Sequence, residues 1–371
     1  MSKQNNNTPR LRFPGFTGEW VEKKLGESVG SFKTGKLDAN AMVEGGEYRF
    51  YTCAKDFSFI DSYAFEGDCI MIAGNGAHLG YVHHYNGKFN AYQRTYVLSD
   101  FNCDSNYLEC CIRRFLPDRI RQEKKEGNMP YIVLSTLTDM LLYFPPSPEE
   151  QKKIADCLFE MDNLISAQAQ KVEALKDQKK GMMQQLFPQK GETTPRLRFP
   201  GFTEEWKERK FSDCFEIGSG RDYKHLQQGE IPVYGSGGYM CSVNDYLYDG
   251  DSACIGRKGT INKPIFISGK FWTVDTLFYT YNYVETSAYF IYLLFQNIDW
   301  MKHNEAGGVP SLSKNIIKKI KVFIPSLTEQ QKISDCLSAL DAQIAAETEK
   351  LTALKDHKKG LMQQLFPQPA K

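Results

Sequence analysis

The chain has 371 residues, enough for two or three domains, and its 41% hydrophobic and 25% charged residues are ordinary for a globular protein. The formal net charge of +1 excludes a protein that binds nucleic acid by bulk electrostatics, so any phosphate neutralisation has to be local or supplied by partners. No apolar run approaches the length of a membrane span, and the opening MSKQNNNTPRLRF predicts no signal peptide.

The chain is a tandem duplication of two halves, each of about 180 residues. The opening TPRLRFPGFTGEW at residues 8–20 reappears as TPRLRFPGFTEEW at residues 194–206. A second segment, residues 149–187, recurs at residues 328–366. Each half therefore consists of a basic and aromatic opening, a variable region, a proline-rich exit and a long helix.

The openings carry arginine and aromatic side chains at matched positions. These are Arg10, Arg12, Phe13, Phe16 and Trp20 in the first half, and Arg196, Arg198, Phe199, Phe202 and Trp206 in the second. One interpretation is that the aromatic residues pack where each globule meets a long helix. The other is that they form a patch for a partner.

The variable regions contain short β-branched or aromatic segments separated by glycine turns, which predicts a mixed α+β globule, mostly strands, in each half. The turns GNMP at 127–130 and GGVP at 307–310 each lead into a predicted strand, YIVLS in the first half and PSLSKNIIKKIKVFIP in the second. The predicted segments are a first globular domain (1–146), a first helix with its linker (147–190), a second globular domain (191–325) and a second helix (326–371).

The long helices carry the apolar stripe of a coiled coil. When residues are numbered in sevens from Ile154, eight of the ten core positions in the first helix are apolar, and the exceptions are Gln168 and Lys179. The copy has Glu347 and Lys358 at the same two places. A helix of this length spans roughly 58 Å at about 1.5 Å per residue, which suits a spacer better than the core of a small domain.

An antiparallel alignment in which paired residue numbers add to 526 places Glu347 opposite Lys179 and Gln168 opposite Lys358. Polar pairs of this kind fix the register of a coiled coil at some cost in stability. We therefore predict an intramolecular antiparallel coiled coil, with the halves related by a pseudo-two-fold axis. Two separate surface helices are the alternative. Two unlike globules at a fixed separation suit a bipartite, roughly inverted target, and double-stranded DNA is the commonest such target.

The residues predict no catalysis by this chain. The dipeptide Pro145-Pro146 lacks the preceding Asn or Asp of an adenine methyltransferase loop, and AGNGAHLG at 73–80 departs from the spacing of a dinucleotide loop. His83 and His84 are adjacent, so their side chains diverge on a strand and suit one metal ion poorly. The ten scattered cysteines form no CxxC pair, which favours reduced thiols and a cytoplasmic protein.

The exits FPPSPEEQKKIADCL and FIPSLTEQQKISDCL, with the duplicated organisation, resemble the specificity subunit of type I restriction–modification systems over essentially the whole chain. The resemblance implies that each globule is a target-recognition domain for one half of a split DNA sequence. It implies that the helices set the unread gap and dock two modification (methyltransferase) subunits, and that the assembly recruits two restriction subunits. It also implies that S-adenosylmethionine, ATP and Mg²⁺ bind to those partner subunits. A non-catalytic two-headed adaptor for protein partners remains the alternative.

Loop residues that can reach base edges or phosphates are the candidates for DNA contact, because Arg suits guanine, Asn and Gln suit adenine, and glycine lets the backbone approach phosphate. The candidates are Lys33, Lys36, Lys55, Asn75, His78, Gln93 and Arg94 in the first half, and Arg221, Tyr223, Lys224, Ser236, Arg257 and Lys258 in the second. The expected docking surface for the methyltransferase pair consists of Met183, Gln184, Gln185, Met362, Gln363 and Gln364.

Overall fold

The computed structural model describes residues 7–123 and 131–367, and the chain divides into two compact units. The first unit contains the chain up to Ala169 and again from Glu349, and the second unit runs from Gln170 to Thr348. Each long helix therefore contributes residues to both units. Within the described ranges, no helix combines the length and the apolar character that crossing a membrane requires.

The first unit is organised around two small sheets. Its strands are β1 (Val21–Lys24), β2 (Val29–Thr34), β3 (Tyr48–Tyr51), β4 (Ser58–Ile60), β5 (Asp68–Ala73), β6 (Val82–Asn86), β7 (Phe89–Ala91), β8 (Thr95–Phe101) and β9 (Leu141–Phe144). Its helices are α1 (Leu25–Ser28), α2 (Ser105–Glu123), α3 (Leu134–Thr138), the first part of α4 (Pro148–Leu186) and the end of α7 (Leu327–Gln364). An antiparallel sheet has the order β2-β8-β5-β6, a mixed sheet has the order β4-β3-β7 with β3 and β7 parallel, and β1 pairs with β9.

Strand β5 is buried on both faces, which explains its nearly continuous apolar sequence DCIMIA. Ile70 and Ile72 belong to the main core, which α2 helps to form. Cys69 and Met71 point the other way, into a smaller cluster that includes Phe89. Since successive side chains of a strand alternate between faces, one strand joins the two cores of the unit.

The second unit repeats this architecture. Its strands are β10 (Lys207–Lys210), β11 (Glu216–Ser219), β12 (Gln228–Gly235), β13 (Gly238–Val243), β14 (Tyr248–Asp249), β15 (Ser252–Gly256), β16 (Ile265–Ile267), β17 (Lys270–Thr273), β18 (Leu277–Tyr281) and β19 (Lys321–Ile324). Its helices are the end of α4, α5 (Ala288–Asn297), α6 (Lys314–Lys319) and most of α7 (Leu327–Gln364). The sheets have the orders β11-β18-β15-β16 and β13-β12-β17-β14, and β10 pairs with β19. The α+β class and the two strand-rich domains are confirmed.

The strand predicted at YIVLS is wrong. The structure has the short helix α3 there, with Ile132 and Leu137 buried in the core. The Thr136 hydroxyl accepts a hydrogen bond from the Val133 amide at 3.3 Å and caps the helix, so local capping and core contacts outweigh the β-propensity of the segment. In the second half, helix α6 precedes the strand β19. The turn GNMP at 127–130 lies outside the described residues.

The tryptophans of the openings pack against the residues that follow the long helices. Trp20 and Trp206 are both buried. The Trp20 ring meets Phe366 edge to face at 6.4 Å, and the Trp206 ring meets Phe187 in the same way at 6.2 Å. The packing interpretation is therefore confirmed for the tryptophan of each opening.

An arginine of each opening forms a buried ion pair with the first turn of a long helix. Arg12 donates to both carboxylate oxygens of Glu150 at 2.7 and 2.8 Å, and Arg198 does the same to Glu329 at 2.9 and 2.7 Å. The two carboxylates are 1% and 3% exposed. Bidentate pairs of this kind are strong and geometrically specific, so these arginines fix the opening to the helix.

Helices α4 and α7 run antiparallel within the second unit. Lys171 pairs with Glu347, and Lys179 pairs with Asp341 at 2.7 Å, so the partner number falls as the residue number rises. In the first unit, Lys358 pairs with Asp162. The antiparallel packing is therefore confirmed within the second unit, and the same two helices are also in contact in the first.

The predicted pairs within that coiled coil, Lys179 with Glu347 and Gln168 with Lys358, are wrong. The numbers 179 and 341 add to 520, 171 and 347 add to 518, and 162 and 358 add to 520, where 526 was expected. These values bracket a register shifted by one heptad. A shift of seven residues leaves every apolar core position opposite another one, so the heptad pattern cannot distinguish the two registers.

Candidate nucleic-acid interface

A cleft of about 610 Å³ in the first unit brings together three predicted DNA-contact residues. Asn75, Gln93 and Arg94 line it, beside Thr34 and Tyr131. The Arg94 side chain is exposed and has no hydrogen bond or ion pair among the described residues. It is therefore available to a ligand.

The backbone holds this cleft in shape. Gly74, which follows β5, donates its amide to the Arg94 carbonyl at 2.8 Å and accepts a hydrogen bond from the Ile132 amide at 2.9 Å. A Cβ at Gly74 would lie 2.4 Å from the Arg94 carbonyl oxygen, so this close approach requires glycine. The Tyr96 hydroxyl also donates to the Ile132 carbonyl at 3.0 Å.

A cleft of about 810 Å³ lies at the equivalent place in the second unit. Arg257 and Lys258, both predicted candidates, line it. The Arg257 amide donates to the Thr276 carbonyl at 2.8 Å, and its carbonyl accepts from the Leu312 amide at 2.9 Å. Arg257 thus makes the two backbone contacts that Gly74 makes in the first unit.

This hydrogen-bond equivalence aligns the two loops residue by residue. Asn75 and Lys258 each follow the anchored residue, and each precedes a glycine with positive φ, Gly76 at 80° and Gly259 at 89°. The two loops therefore share a backbone framework and differ in the side chain that they present to the cleft.

Several predicted residues of the first unit lie outside the cleft lining. Lys33 precedes Thr34 on β2, and successive strand residues face opposite sides, so Lys33 points away from the cleft. Lys36 and Lys55 are exposed in the loops that follow β2 and β3. His78 is half-buried in the loop that carries Asn75.

In the second unit, Ser236 lies beside the cleft loops, since its amide donates to the Thr276 hydroxyl at 3.4 Å. Arg221 borders the same turn, because its amide donates to the Thr273 carbonyl at 2.8 Å. Tyr223 packs instead against a separate hydrophobic cluster, and the exposed Lys224 does not line the cleft.

The sequence analysis missed Lys314, which lines the second cleft with Arg257 and Lys258. Burial, together with the positive charges of Lys318 and Arg257, lowers the pKa of its ammonium group. In the sequence Lys314 is only a lysine that follows the helix cap Ser313. The signal is weak because the tertiary structure alone brings Lys314 close to Arg257.

Both clefts carry cationic side chains. Among the described residues of the linings, the first cleft has Arg94, and the second has Arg257, Lys258 and Lys314 with the carboxylate of Glu305. Each cleft therefore offers positive charge to a phosphate backbone.

The residues expected to bind a methyltransferase pair divide by exposure. Met183 is buried in the core of the second unit. Its assignment to the docking surface is therefore wrong, because a buried side chain cannot contact a partner. Met362 is half-buried. Gln184, Gln185, Gln363 and Gln364 have exposed side chains, and the backbone carbonyls of Gln185 and Gln364 accept hydrogen bonds from the two openings.

Among residues 7–123 and 131–367, no group of three or more His, Cys, Asp or Glu side chains is arranged to hold a metal ion.

Comparison with known proteins gives a consistent set of relatives. The family model described as type I restriction modification DNA specificity domain matches residues 17–177 and again residues 203–356. The type I restriction enzyme EcoDI specificity subunit of Escherichia coli is 32% identical over 220 residues, which cover 58% of this chain and 46% of that protein. The chain thus spans less than half the length of this relative.

A putative type I specificity subunit of Mycoplasma pneumoniae is 26% identical over 314 residues, covering 80% of this chain and 82% of that protein. Among solved structures, the S subunit of a type I restriction-modification system from M. genitalium matches with a TM-score of 0.72 and 19% identity, over 98% of this chain and 100% of that one. At this identity the match establishes a shared fold.

Proposed function

Since the chain belongs to the family defined by the type I restriction modification DNA specificity domain, which matches it twice, we propose that it is the DNA sequence-specificity subunit of a type I restriction–modification complex. Each unit reads one half of a bipartite site through its cleft. The observation that carries this proposal is the pair of clefts built on the same backbone framework and lined by different side chains.

The chemistry of the linings supports DNA as the ligand. Arginine and lysine bind phosphate and guanine, and asparagine and glutamine bind adenine in a bidentate manner. Asn75, Gln93 and Arg94 supply these groups in the first unit, and Arg257 and Lys258 supply them in the second. A scaffold with two different linings is what a two-part, non-identical target requires.

The proposal includes partner subunits that carry the catalysis. Two modification subunits methylate adenine, and two restriction subunits cut DNA. Those subunits bind S-adenosylmethionine, ATP and Mg²⁺, and the complex works in the cytoplasm. The antiparallel helices set the gap between the half-sites. Exposed side chains near the helix ends, at Gln184, Gln185, Gln363 and Gln364, are the proposed docking surface.

The test is to purify the full chain with the adenine methyltransferase subunit of the same operon and to map methylated adenines on random-sequence DNA. The expected result is methylation at one two-part motif with a constant gap. Sequence-independent methylation, or a complex that does not bind DNA, contradicts the proposal and favours an adaptor for protein partners.

A single substitution tests the cleft itself. Arg257→Ala is expected to weaken binding to the cognate site far more than binding to random DNA, since a base contact is lost. Arg196→Ala is the matched control, because Arg196 is an exposed arginine of the same unit that lies outside the cleft lining. Equal losses on both DNAs would make Arg257 a phosphate contact.

A further inference from the structure

The loop after the central strand of each domain is where the two clefts differ most clearly at equivalent positions. Gly74 and Arg257 have the same two backbone hydrogen bonds, and the next residues, Asn75 and Lys258, each stand before a glycine in the left-handed region. The backbone is therefore held alike, and the difference between the loops lies in their side chains.

The side chains at this position have different hydrogen-bonding abilities. Asn75 presents a neutral amide, with one acceptor and a donor group, which matches the N6 and N7 atoms of adenine. Arg257 and Lys258 present donors without acceptors, which match the O6 and N7 atoms of guanine. A lysine is a poor partner for the adenine amino group, because both are donors.

The surroundings leave these side chains available. Asn75 and Lys258 have no side-chain hydrogen bond or ion pair among the described residues, and Lys258 is exposed. Arg257 donates one guanidinium hydrogen to the Asp275 carbonyl at 3.3 Å, and its other guanidinium donors have no partner in the part of the chain that the structure describes. The carboxylate of Glu305, across the same cleft, is in no ion pair of the described chain.

We infer that this loop sets the base preference of each half-site, adenine through Asn75 in the first and guanine through Arg257 and Lys258 in the second. The inference rests on the proposed function, since it assumes that both clefts read DNA. It goes beyond that function by assigning a base to each cleft.

The equivalence of the loops allows a reciprocal exchange as the test. Lys258→Asn gives the second loop the side chain of the first, and Asn75→Lys does the reverse. Each full-length variant is assembled with its modification subunits and incubated with DNA in which one half-site at a time is randomised, and bound and methylated sequences are counted. Arg94 is unchanged in both variants and serves as the internal reference for the first cleft.

Wild-type protein is expected to require guanine at a position of one half-site. Lys258→Asn is expected to reduce that guanine preference on the order of tenfold or more while the other half-site is unchanged. Asn75→Lys is expected to lower an adenine preference in the other half-site by a similar factor. Arg257→Gln provides a second variant of the guanine contact.

Three outcomes would overturn the inference while leaving the proposed function intact. They are a uniform loss of binding to all sequences in Lys258→Asn, an unchanged guanine preference in both second-unit variants, and a motif without guanine in the half-site that these variants affect. Wild-type protein without any bipartite sequence preference would instead overturn the proposed function and the inference together.

Discussion

In the second unit, the Lys179 ammonium group lies 2.7 Å from both carboxylate oxygens of Asp341. The residues one repeat away, Lys358 and Asp162, form the same pair in the first unit. The duplication has therefore preserved a contact between the helices at both of its copies. Since the lysine occupies a predicted core position and its partner, Asp341, lies six residues before the expected Glu347, this pair identifies the register.

The Lys179 pair is expected to show coupling in a double-mutant cycle. Lys179→Met and Asp341→Asn should each destabilise the chain, and the double variant should lose less than the sum, with a coupling of about 1 kcal/mol for a partly exposed pair. Urea unfolding of the four proteins measures it. The cycle of Lys179→Met with Glu347→Gln is the control and should be additive, because Lys171 holds Glu347. Coupling in the control alone would restore the register inferred from the sequence.

Loss of the buried ion pair between Arg12 and Glu150 is expected to reduce stability more than loss of the Lys179 pair. Arg12→Met leaves the Glu150 carboxylate, 1% exposed, without its guanidinium partner, so the free energy of unfolding should fall by about 3 kcal/mol or more. Arg10→Met changes an exposed arginine two residues earlier and should alter stability by less than about 0.5 kcal/mol. Similar small losses in both variants would mean that the pair contributes little.

The pH dependence of the first unit is expected to include a contribution from His84. Its two ring nitrogens lie 3.0 Å from a Glu109 carboxylate oxygen and 2.7 Å from an Asp68 carboxylate oxygen, so the protonated ring can donate to both. Burial by itself lowers the pKa of His84, but hydrogen bonds and charges of Glu109 and Asp68 raise it overall. Burial raises the pKa of Glu109, and His84 and Arg113 outweigh it and lower that pKa.

The direction of the pH dependence of stability follows from these two pKa shifts. A raised histidine pKa gives stability that is fully present below the unfolded value of about 6.5 and is lost as pH rises through the folded value. The lowered Glu109 pKa gives stability that is lost only in acid. The urea midpoint of the wild type should therefore fall between pH 6 and pH 8 more than that of His84→Gln. Neighbouring His83 has a lowered pKa and acts in the opposite direction, so the difference between the two proteins is the quantity to measure.

Two glycines are expected to respond oppositely to alanine. Gly181 lies inside helix α4 with no atom within 4 Å of an added Cβ, so Gly181→Ala should stabilise the chain by about 0.5–1 kcal/mol through helix propensity. Gly76 has equally open space but a φ of 80°, so Gly76→Ala should destabilise by about 1 kcal/mol. Thermal unfolding checks both, and a stabilised Gly76→Ala variant would show that the loop backbone is not held in this conformation.

Lys314 is expected to contact phosphate rather than a base edge. Its ammonium group shares the cleft with Arg257 and has no ion pair among the described residues. Lys314→Ala should weaken binding to all DNA sequences about equally and reduce the slope of log K against log salt by about 1. Lys332→Ala, an exposed lysine on α7 outside the cleft lining, is the control. A sequence-selective loss in Lys314→Ala would instead assign it a base contact.

The sequence by itself determined the duplication, the two long helices, the α+β class and the antiparallel packing. Near-identical repeats and heptad patterns are local or periodic features of the sequence, so they can be recognised without knowledge of the fold. Side-chain chemistry in the loops selected Asn75, Arg94, Arg257 and Lys258 as candidates for DNA contact, and the structure brings each of them to a cleft lining.

The tertiary structure decided the register of the long helices, the formation of helix α3 and which residues line the clefts. A heptad pattern repeats every seven residues, so it is blind to a shift by one heptad, and only the reach of Lys179 to Asp341 resolves it. Lys314 lies 57 positions after Arg257 in the chain, and no local pattern joins them. Such contacts between distant segments depend on how the strands and loops pack, which is a property of the folded chain as a whole.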